Sequence, residues 1–217
     1  FKNRAIREQH RMEMTNAVAH NLKTPLCIIN GFSENLREES GYLTKQHYIN
    51  VIQEQANEMD ILVHKMLDFS KLETDSAKLN IKSFNIKTEL ENIAKKYNDI
   101  SSKNIIVTAD DKEIFADKEL MELVFENLIE NAVKYSKDNS DIKISFANNN
   151  FNISNECEEI SKKDLKKIWK PYNRLEKDEE VRGTGIGLSI VKHILKLHRI
   201  KPYTEYSGGR LIIGFYI

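Results

Sequence analysis

From Met14 to Phe69 the apolar residues return every three or four positions, in two runs separated by Ser40-Gly41. The first run, Met14, Val18, Leu22, Ile29, Phe32 and Leu36, predicts one long amphipathic helix. The second, Ile49, Ile52, Ala56, Met59, Val63, Met66 and Phe69, predicts another that continues to Lys71. A short loop between two such helices makes an antiparallel hairpin. Two helices alone cannot enclose both stripes, so the hairpin is expected to pair with a second copy into a four-helix bundle, as a homodimer.

The polar stretch LETDSAKLN ends that periodicity, and the segments after it alternate between strand and helix patterns. This places a hairpin domain at 1–73, a linker at 74–80 and a second domain at 81–217. The second domain reads as strand Ile81 to Ile86, helix Lys87 to Asn98, strand Ile105 to Ala109 and helix Asp117 to Lys137. Strands Ile142 to Ala147 and Phe151 to Ser154 follow, then helices Lys162 to Trp169 and Leu188 to His198, and a closing hairpin through Gly208-Gly209. The expected fold class is an α helical hairpin followed by an α/β sandwich, with one mixed sheet under helices.

Lys plus Arg number 33 and Asp plus Glu also 33, so the basic footprint of a nucleic-acid binder is absent and no nucleic-acid partner is expected. Cys27 and Cys157 lack metal-ligand spacing and read as reduced thiols of a cytosolic compartment. No apolar run approaches the ~20 residues of a membrane span. The chain starts at Phe1 within charged helical sequence, so a preceding segment is expected, and any membrane attachment would lie there.

The first helix contains VAHNLKTPL, Val18 to Leu26. At ~100° per residue His20 lies ~200° from Val18 and points away from the apolar stripe. Thr24 shares its face one turn on, and Pro25 removes a backbone donor. A neutral imidazole in water is a competent nucleophile toward phosphorus. Alone, the stretch also fits a solvated histidine beside a kink.

In FENLIENAVKYS, Asn127 and Asn131 stand at i and i+4 of a helix whose apolar residues are expected to face elsewhere. Two amide oxygens with Lys134 nearby can hold a hard cation and place an ammonium near phosphates. An ordinary polar helix face is the simpler reading of that pair by itself. RGTGIGLSIVKHILKLH adds Gly183, Gly185 and Gly187, where the backbone can approach an anion before a helix N-terminus. A dinucleotide fingerprint does not fit, because the spacing is GxGxG and a charged stretch precedes it.

AHNLKTPL, NLIENAVKYS, IWKPYNR and GTGIGLSIVK, in this order, resemble the sensor histidine kinases of two-component signalling. The resemblance implies a dimerisation and phosphoacceptor hairpin followed by a GHKL-type ATP-binding domain. It implies that His20 takes the γ-phosphoryl group of ATP and passes it to an aspartate on a response regulator. Thr24 would align a water for dephosphorylating that regulator. Asn131 and Asn127 would coordinate Mg²⁺, Lys134 would meet phosphate, and Tyr135 would line the nucleotide site. Arg174, in the F box from Trp169 to Arg174, belongs to the lid that ends at Gly183, unless it is a plain surface arginine. Gly183, Thr184, Gly185, Gly187 and Leu188 would cradle the phosphates. Asp117 reads instead as an N-cap. By the same resemblance the chain is the cytoplasmic portion of a membrane-anchored bacterial sensor.

Two departures stand out. Asn21 replaces the acidic residue usual after the phosphoacceptor, so catalytic help to His20 from its neighbour is weakened and slow autophosphorylation is expected. In ISNECEEI, Asn155 stands at the aspartate of the adenine-binding box, and Cys157 and Glu159 at its glycines, so weaker ATP binding is expected. Arg182, and Arg199-Ile200, replace glycines common in the family. Two alternatives accompany the kinase reading: a degenerate kinase that docks or dephosphorylates the regulator, and a GHKL ATPase without kinase activity.

Overall fold

A computed structural model describes Ala19 and residues 22–37, 44–73, 79–171 and 185–217, in two compact units, 1–73 and 74–217. In the first unit, α1 covers 22–37 and α2 runs over Lys45–Glu73. Thr44 begins α2, its hydroxyl accepting the His47 N–H at 3.3 Å. Phe32 of α1 meets Tyr48 edge-on at 5.8 Å and His47 at 6.3 Å, which closes the hairpin near its turn.

The stripe that α2 buries differs from the expected one. Tyr48, Gln55 and Leu62, seven residues apart, are buried, whereas Ile49, Ala56 and Val63, one position on in each heptad, are exposed. A 3.6-residue helix carrying apolar residues on two adjacent stripes can present only one of them to a single neighbouring helix. The side chains of Met66 and Phe69, expected in the same stripe, lie outside the described residues.

The second unit contains β1 (Ile81–Asn85), α3 (Ile86–Ile100), β2 (Ile105–Ala109), β3 (Glu113–Asp117), α4 (Lys118–Tyr135), β4 (Ile142–Ala147), β5 (Asn150–Glu156), α5 (Lys162–Lys167), α6 (Gly187–Leu197), β6 (Tyr203–Ser207) and β7 (Arg210–Tyr216). A mixed five-stranded sheet has the order β2-β4-β5-β7-β6, in which only β2 and β4 pair in parallel. β1 and β3 form a separate two-stranded antiparallel sheet.

That second sheet corrects the expectation of a single one. β3 is five residues long, and only Ile114 and Ala116 alternate inward within it while Phe115 is 73% exposed, so its period of two is too brief to stand out.

Helices cover one face of the main sheet. Phe125 of α4 lies 5.1 Å from Phe151 of β5, which stacks at 4.8 Å on Phe215 of β7, and all three are fully buried. Losing any one of these rings would cost about 3–5 kcal/mol. α3 buries Ile86, Leu90, Ile93 and Tyr97 at helical spacing, and its N-cap Asn85 accepts the Thr88 N–H at 2.9 Å. The β6–β7 hairpin turns at Gly208 and Gly209, both with positive φ, as GG between two strands predicts.

Candidate nucleotide and phosphoacceptor sites

Asp117 ends β3 and caps α4. Its carboxylate accepts the Leu120 N–H at 3.3 Å and the Asn80 N–H at 2.8 Å, and its own N–H donates to His198 Nε2 at 3.1 Å. An acceptor at Nε2 requires the proton on Nδ1, which lies 2.9 Å from the Ile194 carbonyl at the end of α6. Asp117 is the N-cap that sequence suggested. It also ties the chain entering β1 to both helices that carry the glycine and asparagine motifs, a role no local pattern shows.

The face of α4 that bears Asn127 is not a free polar face. Asn127 is 4% exposed and stands among Val124, Leu128 and Ile129, because α6 packs over it. Its Nδ2 donates to the Leu123 carbonyl at 2.7 Å, while its Oδ1 is buried without a hydrogen-bond partner. A Cβ built on Gly187, the first residue of α6, would lie 3.0 Å from that oxygen, so the glycine is what lets the amide approach the helix start. One turn on, Asn131 is half-buried, followed by Lys134, whose ammonium lies 5.5 Å above the Tyr135 ring.

The end of α4 is clamped to the end of β5. The Lys137 N–H donates to the Glu156 carbonyl at 2.9 Å, and the Lys137 ammonium pairs with Glu158 at 3.1 Å, which holds it above its ordinary range. Asn155, at 4% exposure, and Cys157, at 7%, turn inward beside this clamp, and Glu159 is exposed. At α6, Gly185 has φ of 66° and the N-cap Ile186 makes no side-chain hydrogen bond, so among the described residues no carboxylate or hydroxyl caps the positive end of this helix. The Leu188 side chain is buried, leaving only its main chain for a ligand.

The structure therefore gathers an orphaned amide oxygen, a glycine-led helix start and a clamped strand end within one unit. The family model of histidine kinase-, DNA gyrase B- and HSP90-like ATPases matches residues 116–213, which span all three. The model of the His Kinase A phospho-acceptor domain matches residues 10–75, which include His20 and Thr24. The chain belongs to the sensor histidine kinases.

Sensor protein kinase WalK of Staphylococcus aureus is 28% identical over 218 residues, covering 94% of this chain and 52% of that protein. WalK of strain JH9 has the same identity over 36% of its length, so the chain spans about half or less of the curated relatives it matches. Histidine kinase ThkA, solved in complex with response regulator protein TrrA, superposes with a TM-score of 0.78 at 23% identity over 100% of this chain and 64% of that one. Acinetobacter baumannii histidine kinase AdeS gives 0.74 at 22% identity, over 91% and 96%.

Among residues expected at the histidine kinase site, Thr24 is exposed on α1. His20, Asn21, Arg174, Gly183 and Thr184 lie outside the described residues. His198 and Lys137 are the contributors that sequence reading missed. A histidine just past a helix end and a lysine just past another carry no local signal, because their partners are 81 and 19 residues away in sequence.

Proposed function

We propose that this chain is the catalytic portion of a two-component sensor histidine kinase, which autophosphorylates His20 from Mg²⁺-ATP and passes the phosphoryl group to an aspartate of a response regulator. The observation that carries the reading is the buried Asn127 Oδ1, left without a hydrogen-bond partner beside Gly187 at the start of α6. A carbonyl oxygen of that kind suits a hard cation, and the helix start suits phosphate. Asn127 and Asn131 would hold Mg²⁺, which neutralises phosphate charge when bound.

Lys134 would meet phosphate, Tyr135 and Asn155 would border the nucleotide base, and the main chain from Gly183 through Thr184, Gly185 and Gly187 to Leu188 would cradle the phosphates. Arg174 belongs to the same binding region in this reading. One imidazole nitrogen of His20 attacks the γ-phosphorus as the bond to the bridging oxygen breaks and ADP leaves. The proton on the other ring nitrogen is shed to water, since the Asn21 amide can hydrogen-bond but cannot act as a base at neutral pH. The phosphoryl group then passes from nitrogen to a regulator carboxylate, restoring the imidazole. Thr24, exposed to solvent, would orient a water for the reverse dephosphorylation.

Two further features support the partners. The exposed heptad stripe of Ile49, Ala56 and Val63 suits a second hairpin, hence a homodimer with domains divided as 1–73 and 81–217 around the 74–80 linker. ThkA was solved with a response regulator, which favours that class of partner here. In this reading the chain works in the cytoplasm as part of a longer, membrane-anchored sensor.

The test is to incubate the protein with Mg²⁺ and γ-labelled ATP and follow acid-labile, base-stable phosphate. Label should form and should vanish in His20→Ala. Label that survives in His20→Ala would move the acceptor elsewhere, and no label at millimolar ATP would leave a docking module instead of a kinase.

A further inference from the structure

We infer that the open edge of β6 is a docking site for an acidic peptide strand from a partner protein. β6 ends the main sheet, and a groove of about 910 Å³ runs along it under α5 and α6. The two-residue turn at Gly208 and Gly209 makes Ser207 and Arg210 a hydrogen-bonded pair. By alternation Glu205 and Tyr203 also bond toward β7, so the main-chain groups of Thr204 and Tyr206 point the other way, toward the groove. They have no main-chain partner among the described residues.

The chemistry around that edge selects for sign. Lys162 and Lys166 of α5, Lys192 of α6 and Lys201 before β6 line the groove, all exposed and none ion-paired among the described residues. Glu159 and Glu205 line it too, which leaves an excess of positive charge. Lysines guard sheet edges against stray pairing, but such guards sit on the edge strand itself, whereas three of these four project from the helical wall.

The wall between the lysines is fixed and amphipathic. Trp169 is 9% exposed, and its Nε1–H donates to the Thr204 hydroxyl at 2.7 Å. An extended segment laid along β6 would gain the Thr204 and Tyr206 main-chain bonds, seat alternate side chains beside Trp169 and Leu165, and set carboxylates against the lysines. A nucleotide held at α4 would not occupy this groove, whose lining includes none of the asparagines or glycines described above.

The test uses the 217-residue chain and a fluorescein-labelled heptapeptide of alternating glutamate and valine, followed by fluorescence anisotropy. Saturable binding is expected, weakened roughly tenfold in the double variant Lys166→Glu with Lys201→Glu and weakened again by added salt. N-methylation of the peptide amides on one edge should abolish it. Autophosphorylation, measured on the same samples, should not change in the double variant, so failure here is distinct from failure of the kinase reading.

The proposal falls if no binding is seen, if a lysine-valine heptapeptide binds equally, or if N-methylation has no effect. The acidic run Glu176–Glu180 of this chain is a rival occupant. If binding appears only after its four carboxylates are changed to amides, the groove serves this chain, and the proposal also falls.

Discussion

Asn127 Oδ1 stands 3.0 Å from where a Cβ of Gly187 would be, so the amide of α4 and the first residue of α6 sit this close without a shift because one of them has no side chain. The oxygen itself is buried and unbonded. An amide acceptor left so costs about 1–3 kcal/mol, partly offset by the positive end of α6. Folding gains nothing from leaving this oxygen unbonded, whereas the proposed Mg²⁺ site would use it.

Asn127→Leu should therefore raise stability while removing function. The apolar side chain keeps the volume and discards the unsatisfied oxygen, for a gain of about 1 kcal/mol. Thermal melts with and without Mg²⁺-ATP are the check: a higher midpoint is expected without ligand, and the ligand-induced rise should vanish. A lower midpoint with the rise preserved would mean that the amide is structural.

His198 should matter as an acceptor. His198→Phe leaves the Asp117 N–H unbonded and should cost about 1–3 kcal/mol, whereas His198→Gln, which can present an oxygen, should recover part of it. Urea unfolding of both variants decides this. Equal losses would show that ring packing, not the hydrogen bond, is what counts.

Tyr97 predicts an alkaline limit. Burial, reinforced by the Glu130 carboxylate that its hydroxyl meets at 3.0 Å, pushes the phenol far above its ordinary value. The folded state thus holds this proton more tightly than the unfolded chain does. Its contribution is complete below pH about 10 and is lost as pH rises beyond that. Stability against urea should fall above pH about 10, and Tyr97→Phe should flatten the fall. An unchanged slope would remove Tyr97 as its source.

The exposed stripe of α2 predicts a monomer on charge insertion. Val63, 41% exposed in the single chain, should lie in the partner interface, so Val63→Glu should halve the mass found by light scattering and leave the second unit folded. A dimer that survives at micromolar concentration would place the interface elsewhere.

Asn21→Asp should raise the rate of autophosphorylation, by about 10²-fold or less, if a carboxylate that orients and deprotonates the imidazole is what the native chain lacks. Single-turnover labelling at saturating ATP measures it. No gain would show that another step limits.

The two helical runs, the GG hairpin and the asparagine and glycine motifs announce themselves over spans of a few residues, because turn chemistry and periodicity are short-range. β3 escaped for the converse reason: five residues whose pairing with β1 is non-local carry little period of their own. The stripe of α2 that meets α1 lies one position from the expected one because Tyr48 and Ile49 are both apolar, and only contact with α1 distinguishes them.

The sequence by itself determined the order of every element of the second unit except β3, the family and the residue types at the site, since each depends on neighbours along the chain. Tertiary structure decided that Asn127 is buried and unbonded, that Asp117 joins a linker end to two helices, and that β6 has a lysine-ringed open edge. Those outcomes depend on groups far apart in sequence that packing alone brings within hydrogen-bonding reach or onto one surface.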